Sequence, residues 1–138
     1  MATTPAPRAP WTDAQLAHLA LRIVLGLNIA THGAVRLPDL GVFVDKTAAG
    51  FAKTPLPAPL VIGFLYATPI VELVLGLAML LGVRLRITLF AGALMIGALT
   101  VGMSLQQQWE IVGLQLIYAL AYFILIARAA DARLTVAA

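Results

Sequence analysis

Apolar residues fill this chain in long unbroken runs, not in the alternating or one-sided patterns of a soluble fold. Four windows are nearly continuous: Ala14 to Leu37, Leu60 to Leu81, Leu85 to Gln107, and Ile111 to Ala130. A bilayer core about 30 Å thick is crossed by roughly 20 helical residues, so each window is long enough to span it. Spanning strands would be stretches of about ten residues with alternating polarity, which these are not. The pattern predicts an all-α integral membrane four-helix bundle over residues 14–130, with tails at 1–13 and 131–138 and no second domain.

The joints between windows agree with this. "GVRLR" and "QQWE" are turns short enough to make the helices on either side antiparallel neighbours. Only the first connection is long. Within it "LGVFVDKTAAGFAK" places Leu40, Phe43, Val44, Thr47 and Phe51 on one helical face, which predicts a short interfacial helix broken by "TPLPAP". The opening "MATTPAPRAP" is polar and proline-rich and reads as a disordered tail. It lacks the basic-then-apolar order of a signal peptide, so the first span is expected to be retained.

Composition sharpens the class. The 138 residues are 62% apolar and 11% charged, with mean hydropathy +0.97, against about 25% charged in an ordinary soluble domain. Arg8, Arg84, Arg86, Arg128 and Arg133 share one side of the membrane, whereas Arg36, Lys46 and Lys53 fall on the other. The positive-inside rule then places both termini in the cytoplasm. The net charge of +3 is spread over two membrane faces, which argues against nucleic acid as a partner. With no cysteine, the chain supplies no thiol–disulfide site, no covalent haem attachment and no iron–sulfur ligands. No phosphate loop or metal-ligand spacing is present either. Redox electrons, if any, would reside on a bound small molecule or on a partner.

Against this background the polar residues inside the spans are the informative ones, because hydrocarbon offers neither hydrogen bonds nor counter-charge. On the first helix His18, Arg22, Asn28, His32 and Arg36 fall within an arc of about 120°, a stripe expected to face the bundle interior. Glu72 is the one acid deep in a span. Its depth, counted from the helix ends, matches that of Arg22, which predicts an Arg22–Glu72 ion pair, either a structural clamp or a proton relay. Pro69, one turn earlier, removes a backbone hydrogen bond to Leu65. Gln115, Tyr118 and Tyr122 share an arc of about 60° on the fourth helix, while Thr100, Ser104 and Gln107 share a face of the third. Together these could close a polar pocket around His32, about one turn from the outer end of its helix. Plainer roles compete: Arg36 snorkelling to headgroups, the tyrosines as interhelical hydrogen-bonders, Trp11 and Trp109 as interfacial anchors, and His18 solvated at the boundary.

The stretches "THGAVRLPDLGVF", "LPAP" and "VELVLGLAMLLGVRLRITLF" resemble the DoxX-like family. Its members show a His-Gly followed by a basic residue at the end of helix one, a proline-bearing entry to helix two, a Glu midway along it, and a Gly-rich run into a basic turn. Those positions here are His32, Gly33 and Arg36; Pro57 and Pro59; Glu72; and Gly76, Gly82, Arg84 and Arg86, with Arg36 standing where Lys is more usual. The resemblance covers roughly residues 20–130. It implies a four-helix inner-membrane protein whose relatives include subunits of a thiosulfate:quinone oxidoreductase.

Three functions follow as expectations. In the first, a redox-associated subunit holds a quinone head group. His32 is the catalytic proton donor, while Asn28, Gln115 or Tyr118 orients the second carbonyl and Arg36 favours an anionic reduced form. Electrons would come from a protein partner at the outer loop. In the second, the protein is a non-catalytic anchor or assembly factor, or a homo-oligomer, using the small residues Gly63/Ala67 and Ala93/Gly97 for close helix contact. In the third, Glu72 carries a proton or small solute across the membrane.

Overall fold

The structure is a computed structural model that describes residues 10–136. The predicted tail 1–13, with Arg8, lies mostly outside the described residues. Five helices follow one another: α1 (Asp13–Arg36), α2 (Leu40–Ala49), α3 (Ala58–Leu81), α4 (Leu85–Leu105) and α5 (Trp109–Ala127), with a 3₁₀ turn at Ala129–Asp131. Among them α1, α3, α4 and α5 are long and apolar enough to cross a membrane. The four windows of the sequence therefore appear as the four spans, and α2 occupies the long first connection.

Local chemistry sets the ends. Thr12 caps α1 through a reciprocal box with Gln15: the Gln15 N–H donates to Thr12 Oγ1 (3.3 Å) and the Thr12 N–H to Gln15 Oε1 (3.2 Å). Leu37 keeps helical backbone angles (φ −64°, ψ −41°), and Pro38, which has no N–H to donate, ends the hydrogen-bond ladder of α1 before α2. Gly82 closes α3 in the left-handed conformation (φ 71°), its N–H returning to the last turn. Arg84, also left-handed at φ 39°, turns the chain directly into α4.

Packing is organised by two antiparallel pairs, α1 against α3 and α4 against α5. In the first pair the backbones meet at glycines. A Cβ on Gly76 would collide with the backbone of Ala30, one on Gly33 with the Pro69 carbonyl and the Leu73 amide, and one on Gly26 would press on Leu80. Where no side chain intervenes, dispersion and close approach replace the hydrophobic driving force that lipid does not supply. The half of the bundle nearer the chain termini is filled by Leu25, Met79, Leu85, Leu89, Tyr122 and Leu125. The opposite half is filled differently: α2 lies beside the first turns of α3, with Val44 against Val61 and Leu65. Between α2, α3 and the α4–α5 pair this half leaves a cavity.

Candidate functional site

The polar stripe of α1 faces inward, as its spacing predicts: His18, Arg22, Leu25, Ile29 and Gly33 are buried, whereas Val24, Leu27 and Val35 point outward. The stripe divides into two unrelated environments. Towards the termini, Arg22 is 1% exposed and donates to the carbonyls of Arg133 (2.9 Å) and Leu134 (3.3 Å). His18 is not solvated at a boundary but 4% exposed, with Nε2 hydrogen-bonded to the Leu125 carbonyl at 3.2 Å. Arg22 is held by the segment after α5, which folds back to α1, and His18 by the end of α5 itself.

The predicted Arg22–Glu72 pair is not formed. Glu72 accepts instead from Arg36, Nη1 to Oε2 at 2.6 Å, and the Arg36 guanidinium also lies 5.0 Å from the centre of the Phe43 ring. The reason is register. Counting depth from helix ends treats α1 and α3 as flush, but the glycine contacts pair Gly26 with Leu80, Ala30 with Gly76 and Gly33 with Leu73. In that register Arg22 falls opposite Arg84, past the end of α3, with its guanidinium beside Gly82, and Arg36 comes within reach of Glu72. The last turn of α1 consequently abuts the middle of α3, with Glu72 about 21 Å along the helix from Ala58 at 1.5 Å per residue. His32 is thus near the end of its own helix yet deep in the bundle.

A cavity of about 750 Å³ opens beside this pair. His32 and Arg36 of α1, Thr68 and Glu72 of α3, and Gln115 and Tyr118 of α5 supply its polar lining; the remainder is mostly apolar. Phe43, Thr47 and Phe51 close it from the α2 side. The lining includes Leu60, Phe64, Val101 and Leu114, which are all exposed on the helix faces that meet lipid, so the cavity reaches the lipid-facing surface. Glu72 is 4% exposed and Arg36 31% by side chain, so the carboxylate is sealed while the guanidinium is partly available to the cavity. Thr68 spends its hydroxyl on the Phe64 carbonyl (2.8 Å). Gln115 Oε1 is buried with no hydrogen-bond partner, an acceptor that a hydroxyl or N–H of a ligand in the cavity would satisfy.

The structure thus brings together four of the five predicted binding residues, His32, Arg36, Gln115 and Tyr118, and adds Glu72 and Thr68. Asn28 is not in the lining; it sits at the edge of the stripe with Oδ1 buried and unpartnered. Ser104 and Gln107 are likewise outside it, and Tyr122 is buried in the core, its hydroxyl 3.7 Å from Met79 Sδ. The aromatic wall from α2 was missed as a wall, although its facing residues were legible from their spacing.

Four helices long and apolar enough to span a membrane, packed around a polar-lined cavity, define a multi-pass membrane protein. The chain belongs to the DoxX family: the family model, described as DoxX, matches residues 17–105, more than half of the chain. That match takes in α1 to α4, including His32, Arg36 and Glu72, and ends before α5, so Gln115 and Tyr118 lie beyond it. Comparison with curated proteins and with solved structures yields no match.

Proposed function

We propose that the protein is a redox-associated membrane subunit whose cavity binds the head group of a quinone or a similar lipid-soluble molecule and couples it to a partner protein. The observation that supports this most is the convergence of His32, Arg36, Gln115 and Tyr118 on one largely apolar cavity that reaches the lipid face. Its volume lies in the range of small-molecule sites, roughly 300–1,000 Å³, and its balance of many apolar and few polar groups is what such sites show. A lipid-soluble ligand enters from the bilayer past Leu60, Phe64, Val101 and Leu114 without crossing water.

A planar dicarbonyl ring fits the donor set. The His32 imidazole would donate to one carbonyl and exchange a proton there, since its ring can both give and take one. The Gln115 Nε2–H and the Tyr118 hydroxyl would donate to the opposite oxygen, and Gln115 Oε1 would accept from the hydroxyl that this oxygen carries in the reduced head group. Arg36, anchored by Glu72 and by Phe43, places positive charge beside the ring and stabilises negative charge that develops on it. A bound quinone supplies the electron-accepting chemistry, and the donor is a partner protein, since the chain has no cysteine for a metal–sulfur centre. The test is a titration of the purified protein with a short-chain ubiquinone analogue, followed by isothermal calorimetry. Saturable binding that weakens about tenfold or more in His32→Ala and in Gln115→Leu supports the assignment. Equal binding in both variants and the parent contradicts it.

A further inference from the structure

The opposite end of the bundle carries a second cavity, about 460 Å³, between the α3–α4 turn and the segment that follows α5. Gly82, Arg84, Arg86 and Ile87 form one wall, and Thr135 and Val136 the other. The segment is held there by specific contacts: the Val136 N–H donates to the Gly82 carbonyl at 3.1 Å, Arg22 donates to the carbonyls of Arg133 and Leu134, and Arg133 stacks 5.6 Å from the Trp11 ring. Among the described residues this end carries Arg22, Arg84, Arg86, Arg128 and Arg133 against Asp13 and Asp131. Arg84 and Arg86 are exposed, and neither has an ion-pair partner among the described residues; Asp131 is taken by Arg128 at 2.7 Å.

Two further observations strengthen the field. Arg22 is 1% exposed, its Nε is buried without a partner, and its guanidinium reaches the Gly82 side of the turn, so a full buried charge lies directly behind the cavity wall. The start of α4 adds its positive dipole end, uncapped by any side chain. The cavity also has an apolar side in Leu85, Ile87 and Val136, at the junction of two spanning helices where headgroups meet acyl chains.

We infer that this cavity binds the phosphate headgroup of an anionic phospholipid, with Arg84 and Arg86 on the phosphate and Ile87 and Val136 against the upper acyl chain. Basic pockets between spanning helices recognise such headgroups by this combination of charge and apolar contact. The ligand differs from that of the larger cavity, and the two sites stand or fall separately.

The test is native mass spectrometry of the protein released from nanodiscs made of equimolar phosphatidylglycerol and phosphatidylcholine. Retained lipid is expected to be phosphatidylglycerol, with a preference of about tenfold or more, and the preference is expected to vanish in Arg84→Gln/Arg86→Gln and in Thr135→Glu, which puts a carboxylate in the cavity. Arg128→Gln removes one positive charge from the same membrane face but lies outside the cavity, and is expected to leave the preference intact. Loss in Arg128→Gln equal to that in the double variant would show generic surface charge and overturn the assignment. No preference in the parent protein would overturn it too, as would displacement of the lipid by millimolar inorganic phosphate, which would mark a site for free anions.

Discussion

Breaking the Arg36–Glu72 pair from its two sides is expected to give unequal losses, and the inequality follows from burial. Arg36→Ala strands a carboxylate that is 4% exposed in the middle of α3, whereas Glu72→Gln leaves a guanidinium that is 31% exposed, stacked on Phe43, and still offered an amide oxygen. Removing one partner of a buried pair costs about 3–5 kcal/mol, and Arg36→Ala belongs near the lower end because one member is partly solvated. Glu72→Gln exchanges a charged acceptor for a neutral one and is expected to cost on the order of 1–2 kcal/mol. The double variant then costs less than the sum, with a coupling of about 1–3 kcal/mol. Unfolding by dodecyl sulfate in mixed micelles, followed by far-ultraviolet circular dichroism, measures all four species. A coupling below about 0.5 kcal/mol, or a Glu72→Gln loss as large as that of Arg36→Ala, would refute the register that joins these residues. Arg22→Ala with Glu72→Gln serves as the control pair and is expected to be additive.

Other expectations rest on close packing and caps. Gly92→Ala drives a Cβ into the Tyr122 ring and is expected to destabilise by about 1–3 kcal/mol, while Gly97→Ala, with open space around it, is expected to change stability by less than about 0.5 kcal/mol in the same unfolding assay. Gly33→Ala meets the backbone of α3 and is expected to lower stability and weaken ligand binding together, because it moves His32 and Arg36 relative to Glu72. Thr12→Ala removes the capping box at the start of α1 at a cost of about 1 kcal/mol, read by the same denaturation. Val101→Trp fills the lipid-side opening and is expected to slow entry of a short-chain quinone in stopped-flow mixing without altering the fold.

The spans were legible because hydrocarbon length and apolar continuity fix them almost without regard to packing. The apolar face of α2 was equally readable, being a local signal. What depth counting missed was the partner of Glu72. Helix ends say where a span starts and stops, not how far one helix slides along another, and here the slide is set by backbone contact at Gly26, Gly33 and Gly76. The signal was present as the small residues Gly26, Ala30 and Gly33 at helical spacing, one face of α1. His18 was misjudged for a related reason: its cover comes from Leu125 and the segment beyond it, a contact across more than a hundred residues that no local pattern encodes. The arc shared by Gln115, Tyr118 and Tyr122 on α5 yields two cavity residues and one core residue, Tyr122 lying against Met79, and Asn28 is the member of the α1 stripe furthest round the helix from the residues that line the cavity.

The central claim, that the cavity between α2, α3 and the α4–α5 pair holds a lipid-soluble redox molecule, is tested most directly by mass spectrometry of an organic extract from gently purified protein, with His32→Ala beside it. A quinone is expected at near-stoichiometric amount in the parent, with its loss in the variant. Extracts that contain only bulk membrane lipid in both would contradict it.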